Sequence, residues 1–136
     1  MSRVRLALVG CGGMSKAHLR RFHELADRLD VVAAVDVEPD KAQAVADAMA
    51  ERGATVRVAA SHQDVIDGVD AALLVLPHHL HHPVAMDFLR AGKHVLVEKP
   101  MAITEAECLE LIDTARSQDL TLMVAYCMRF HPLVTG

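Results

Sequence analysis

The sequence predicts an α/β fold in which one doubly wound parallel sheet forms a single domain. Three observations predict it. Short apolar runs alternate with helix-period patterns along the whole 136 residues. The runs are nearly continuous in Val, Leu and Ala, as strands covered on both faces require. A glycine turn, Gly10-Cys11-Gly12, joins the first run to the first helical pattern. Right-handed crossovers between successive strands then favour the doubly wound order.

Each element has its own signal. Val4 to Val9 is an apolar run with one charge, the first strand. Met14, His18, Phe22, Leu25 and Leu29 recur at helical spacing and form the inner stripe of the first helix. Val31 to Val35 is the second strand. Pro39 suits the first turn of the second helix, whose inner face is Ala42, Val45, Ala46 and Met49. Gly53 closes it as a C-cap. Thr55 to Val58 is a short third strand. Ser61 with Asp64 predicts an N-cap and a brief helix ending near Gly68. Ala71 to Leu76 is the fourth strand. Pro83 opens the next helix, with Val84, Phe88 and Leu89 inward and Gly92 at its close. His94 to Val97 is the fifth strand. Thr104 and Glu107 form a capping box, with Ile103 and Cys108 as a hydrophobic staple. Cys108, Leu111, Ile112 and Ala115 face the core, and Leu120 to Ala125 is the sixth strand.

Composition removes several function classes. Hydrophobic residues make up 52% of a chain long enough to bury a sizeable core, so the protein is globular. The net charge is -4 and aromatic residues are 3%, with no basic block, which argues against nucleic-acid binding. No apolar run approaches the ~20 residues that span a membrane. Arg3 and Arg5 before Leu6-Ala7-Leu8-Val9-Gly10-Cys11 imitate a lipoprotein signal, but that apolar core is too short, and a buried first strand explains the same letters. A cytoplasmic location is therefore expected. Cys11, Cys108 and Cys127 are odd in number and widely spaced, so no disulfide framework is implied.

Gly10, Gly12 and Ser15 occupy the three positions of a GxGxxG turn. The first glycine permits the tight turn, and the second lets the backbone approach a pyrophosphate. The third position needs a small residue for packing, and serine replaces glycine there. Amides at the helix start then face the phosphates. Asp36 ends the second strand, where a carboxylate accepts hydrogen bonds from adenosine ribose hydroxyls. A 2′-phosphate would meet a like charge there, and no arginine follows to receive it; Lys41 is the nearest cation. NAD is favoured over NADP.

Lys99 follows the fifth strand, at the carboxyl edge where such sheets bind ligands. Pro100 constrains the backbone beside it. His78, His79, His81 and His82 crowd the loop after the fourth strand. Adjacent histidines diverge, and no cysteine or carboxylate joins them, so a loop lining the cofactor crevice is favoured over a metal site and no metal is expected. His18 reads as a hydrogen-bonded core histidine, and Met14, Met49 and Met86 as ordinary core.

Taken together, Gly10-Cys11-Gly12-Gly13-Met14-Ser15 with His18, then Asp36, Pro77 with His81, Ala91-Gly92-Lys93-His94-Val95 running into Glu98-Lys99-Pro100, and Tyr126 with Arg129-Phe130-His131-Pro132 form an ordered set. Over nearly its whole length the chain resembles the N-terminal domain of the glucose–fructose oxidoreductase, inositol dehydrogenase and rhizopine-catabolism (Gfo/Idh/MocA) oxidoreductases. The resemblance implies a Rossmann domain and an NAD(P)-dependent enzyme moving a hydride between nicotinamide and a sugar, cyclitol or related polyol. It implies cofactor contacts from Gly10, Gly12, Gly13 and Met14 at the pyrophosphate and from Asp36 at the adenosine ribose. Leu76, Pro77 and His81 would lie on the nicotinamide side, Glu98 at the nicotinamide ribose, and Arg129 near that end of the cleft. Lys99 would touch both cofactor and substrate hydroxyl and assist proton transfer. His78 stands where the family often has asparagine.

Family members carry a second domain that supplies an aspartate and a histidine of the catalytic set. Residues 1–125 are accordingly expected to form the dinucleotide-binding domain, and 126–136 the start of a connection to a substrate domain that this chain lacks. Such a piece alone would bind NAD and turn over little, and apolar surface near the sixth strand would favour self-association. The alternatives are a stand-alone NAD-binding module without catalysis and a methyltransferase-like domain. The glycine spacing and Glu98-Lys99-Pro100 argue against the last.

Overall fold

A computed structural model describes residues 2–125; Tyr126, Cys127, Arg129 and the rest of 126–136 lie outside the described residues. The strands are β1 (Val4–Val9), β2 (Leu29–Val35), β3 (Arg57–Ala59), β4 (Ala71–Leu74), β5 (His94–Glu98) and β6 (Leu122–Ala125). The helices are α1 (Ser15–Glu24), α2 (Pro39–Ala50), α3 (His78–Arg90) and α4 (Glu105–Ser117), with two short 3₁₀ turns at His62–Asp64 and Ile66–Gly68. All strand pairs are parallel and the sheet order is β3-β2-β1-β4-β5-β6, the doubly wound order expected. The order reverses between β1 and β4, which opens a crevice at their carboxyl ends.

Alternation along the strands divides the core in two. Leu6, Leu8, Ala34 and Leu73 pack with Phe22 of α1 and Ala42, Val45 and Met49 of α2. Ala7, Val9, Val35, Leu74, Val95 and Val97 face the other way, onto Val84, Phe88 and Leu89 of α3 and Leu111 and Ala115 of α4. A two-residue period in a sheet covered on both faces produces this partition.

Register aligns the crevice. Ala59, Val35, Val9, Leu74, Val97 and Val124 form one row across the six strands. The residues that follow in β2, β1, β4 and β5 are Asp36, Gly10, Val75 and Glu98. Sequence positions far apart therefore reach the same edge.

Helix ends follow local chemistry. At the close of α2, Gly53 has φ +85°, its amide donates to the Ala50 carbonyl, and that of Ala54 donates to Met49. Gly92 (φ +79°) repeats this paired closure after α3, and Asp119 (φ +54°) after α4. At the start of α4 the Glu107 amide donates to Thr104 Oγ1, and Glu107 Oε2 accepts from the Ile103 amide rather than that of Thr104.

Several expectations need correction. Helix α3 begins at His78, not at Pro83, so the histidines belong to its first turns. The inner stripe of α1 is shorter than its periodicity suggests: Met14 is 61% exposed, Leu25 is exposed, and Leu29 already belongs to β2. Strand β3 starts two residues late, at Arg57. Strands β4 and β6 are shorter than expected. Ser61 Oγ does accept a capping bond, from Gln63, but onto a 3₁₀ turn. Ile103 is exposed, so no buried staple forms with Cys108. Ile112 and Cys108 are only half-buried.

Candidate cofactor site

The glycine turn is built by two different glycines. Gly10 has φ +96°, and a Cβ there would stand 2.0 Å from the Val75 carbonyl oxygen. Its role is to let β1 end against β4. Gly12 and Gly13 have nothing within 4 Å of a built Cβ, so their faces look into open space. Ser15 is buried, and its hydroxyl donates to the Gly12 carbonyl at 2.6 Å, filling the third position of the turn with a bonded side chain. Helix α1 has no side-chain cap and no acidic residue in its first turn. The amides of Gly12, Gly13 and Met14 donate to no described group, whereas those of Ser15 and Lys16 turn back to Gly12 and Gly13. Free amides, a positive helix end and open space form a cradle that fits an anion.

Asp36 borders that cradle. Its Oδ2 accepts from the Cys11 amide at 2.8 Å and its Oδ1 from the Glu38 amide at 2.9 Å. The carboxylate thus both caps the turn before Pro39 and holds the glycine loop. Lys41 forms a half-exposed ion pair with Glu38. Beside Asp36, burial and that negative charge push the Cys11 thiol up to about 12, and it stays protonated.

Across the switch point stands the segment Glu98-Lys99-Pro100. Glu98 ends β5 and is half-buried, while Lys99 and Pro100 are exposed. Two histidines hold the segment. His18 of α1 donates from Nε2 to Glu98 Oε1 at 2.7 Å. His81 is 0% exposed; its Nε2 accepts from the Leu76 amide at 3.2 Å and its Nδ1 donates to the Pro100 carbonyl at 2.8 Å. Both ring nitrogens of His81 are therefore occupied by main chain. This corrects the expectation that His81 lines the cleft: it braces the end of β4 against the loop after β5 and touches no open space. Leu76 is half-buried and Pro77 is exposed at the start of α3. Arg129 lies outside the described residues.

The other histidines go elsewhere. His62 bonds Asp87 at 2.7 Å and rests on the Phe88 ring. His82 Nε2 lies 3.3 Å from Glu110 Oε2, between α3 and α4. His78 and His79 are exposed. Among the described residues no group of three or more His, Cys, Asp or Glu side chains is arranged to hold a metal. A groove of about 550 Å³ shares Gly12 and Gly13 with the cradle but runs down between α1 and α2, lined by Leu19, Val45 and Ala48.

The apolar stripe of α1 marks His18 as a core residue, and it is buried, but its contact with Glu98 across 80 positions has no local signal in the sequence.

Residues 4–126 match the family described as oxidoreductases with an NAD-binding Rossmann fold, the Gfo/Idh/MocA family. The chain belongs to that family. Among curated relatives, inositol 2-dehydrogenase 1 of Saccharopolyspora erythraea is 37% identical over 95% of this chain. This chain spans only 38% of that relative's length. Among solved structures, the WlbA dehydrogenase of Bordetella pertussis, in complex with NADH and UDP-GlcNAcA, superposes with a TM-score of 0.86 at 29% identity. The match covers 98% of this chain and 39% of that one. An NAD-binding protein of Listeria innocua gives a TM-score of 0.81 at 31% identity, over 95% and 37% of the two chains. Among the described residues no helix is long and apolar enough to cross a membrane.

Proposed function

We propose that this chain is the NAD-binding part of a dehydrogenase that acts on a sugar, cyclitol or related polyol. The observation that carries the reading is the open cradle at Gly12, flanked by Asp36 on one side and by the braced Glu98-Lys99 segment on the other. The amides of Gly12, Gly13 and Met14 hold the pyrophosphate. The lone pairs left on Asp36 accept from the adenosine ribose. Neighbouring parallel strands lie ~4.8 Å apart, so β1 and β5 are separated by about 10 Å, a span that a dinucleotide bridges. When bound, nicotinamide supplies the hydride acceptor or donor. Lys99 Nζ carries a proton to or from the substrate oxygen, and Glu98 holds ribose hydroxyls beside it.

Substrate class comes from the relatives, which act on inositol and carry a UDP-sugar respectively. Residues 1–125 are the dinucleotide domain in this reading, and 126–136 lead into a substrate domain that completes the site and buries the apolar surface at β6, where Met123 is exposed. The full-length protein tests the chemistry. Lys99→Ala is expected to cut turnover by about a hundredfold or more while NADH affinity stays within about threefold. A loss of less than about fivefold would remove Lys99 from proton transfer.

A further inference from the structure

His18 is buried on α1, one turn into the helix that follows the cradle amides of Gly12, Gly13 and Met14. Its ring lies 6.3 Å from that of Phe22, inclined at 24°. A carboxylate can only accept, so the 2.7 Å contact with Glu98 Oε1 places the proton on His18 Nε2. The side chains of His18 and Glu98 are 7% and 16% exposed, so this bond is largely sheltered from water. Glu98 Oε2 accepts from no described residue. A half-buried carboxylate with one oxygen anchored and the other idle has acceptor capacity for a hydroxyl-bearing ligand. Glu98 is also the last residue of β5, two strands from the glycine turn and on the far side of it from Asp36.

We propose that His18 is a positioning residue that holds Glu98 so that its free oxygen accepts a ribose hydroxyl at the nicotinamide end of the bound dinucleotide. This rests on the NAD reading above. The bond ties the helix that follows the glycine turn to the segment that carries Lys99. A histidine that merely filled the core would affect every ligand of the cradle alike. One that orients Glu98 affects only ligands with the second ribose.

The test compares NADH with ADP, which keeps the adenosine and diphosphate but lacks that ribose. Both are titrated into the chain by calorimetry. His18→Ala is expected to weaken NADH about tenfold or more and ADP less than about twofold, the scale of one hydrogen bond to a charged group. His18→Gln, whose amide still donates, is expected to recover NADH affinity to within about threefold. Glu98→Ala should give the same NADH-only loss with the core histidine intact, and His18→Ala/Glu98→Ala should be no weaker than Glu98→Ala alone. Equal losses for NADH and ADP, an unchanged NADH affinity in Glu98→Ala, or additive losses in the double variant would overturn the proposal. Wild-type chain that binds neither ligand overturns the NAD reading instead.

Discussion

The Asp36 carboxylate is held from two sides, by the amides of Cys11 and Glu38. Two of its roughly four lone pairs are thereby used and two are left for a ligand. A 2′-phosphate beside it would meet a like charge at a cost of about 1–4 kcal/mol at ~4 Å, for effective dielectrics between 80 and 20. Lys41 is the nearest cation, but it is solvent-exposed and shared with Glu38, so it offsets only part of this. Asp36→Ala is therefore expected to raise the ratio of NADPH to NADH affinity by about tenfold or more, measured by fluorescence titration of both. Absolute NADH affinity should fall as well, since the Cys11 amide loses its acceptor. An unchanged ratio would take Asp36 out of ribose selection. The position of this acid was legible in the sequence, because it ends an apolar run after a glycine turn. Its grip on Cys11 was not, because the turn's path depends on packing against Val75.

Among the elements, three glycines that look alike as letters separate by geometry. Gly10 combines φ +96° with a main-chain oxygen 2.0 Å from a built Cβ. Gly53 has φ +85° but open space, and Gly12 has open space with no positive φ. Gly10→Ala is expected to cost at least about 3 kcal/mol, from the left-handed backbone plus a clash that only a shift of β4 relieves. Gly53→Ala should cost about 1–2 kcal/mol, the backbone component alone. Gly12→Ala should leave stability within about 1 kcal/mol while weakening NADH, because its methyl enters the cradle. Urea unfolding ranks the three, and a Gly12→Ala chain as unstable as Gly10→Ala would contradict the division. The identity of strands β1 to β6 and helices α1 to α4 was legible from apolar patterning, whereas the brief helix expected after Ser61 is two 3₁₀ turns and the histidine stretch expected to be a loop is helical. Their ends were less so. Pro83 looks like a helix start, yet α3 begins five residues earlier and carries Pro83 inside it. An internal proline removes a hydrogen bond and costs about 3 kcal/mol in isolation. The tertiary bonds of His81 to Leu76 and Pro100, and burial of Val84, Ala85 and Phe88 behind it, are what the early turns gain. None of these has a local signature.

For the molecule as a whole, the sheet register does the assembling. One row of paired residues sets Asp36, Gly10 and Glu98 at a common edge, and the reversal of strand order between β1 and β4 keeps that edge open. A dinucleotide bound as proposed would contact residues at the ends of β1, β2 and β5 together, which would link its binding to folding of the whole sheet and not to one loop. Any ligand that binds the folded chain alone stabilises it by RT ln(1 + [L]/Kd), about 2.7 kcal/mol at a hundredfold excess over Kd. For a domain of this size each kcal/mol moves the midpoint by about 3–5 °C. NADH at that excess is therefore expected to raise the thermal midpoint of the chain by about 10 °C, followed by circular dichroism. NADPH at the same concentration should give a clearly smaller rise, because its extra phosphate meets Asp36. S-adenosylmethionine has no diphosphate for the amides of Gly12, Gly13 and Met14 and should leave the midpoint unchanged. A flat response to NADH, or a larger one to S-adenosylmethionine, would mean that the space in front of Gly12 serves a different ligand.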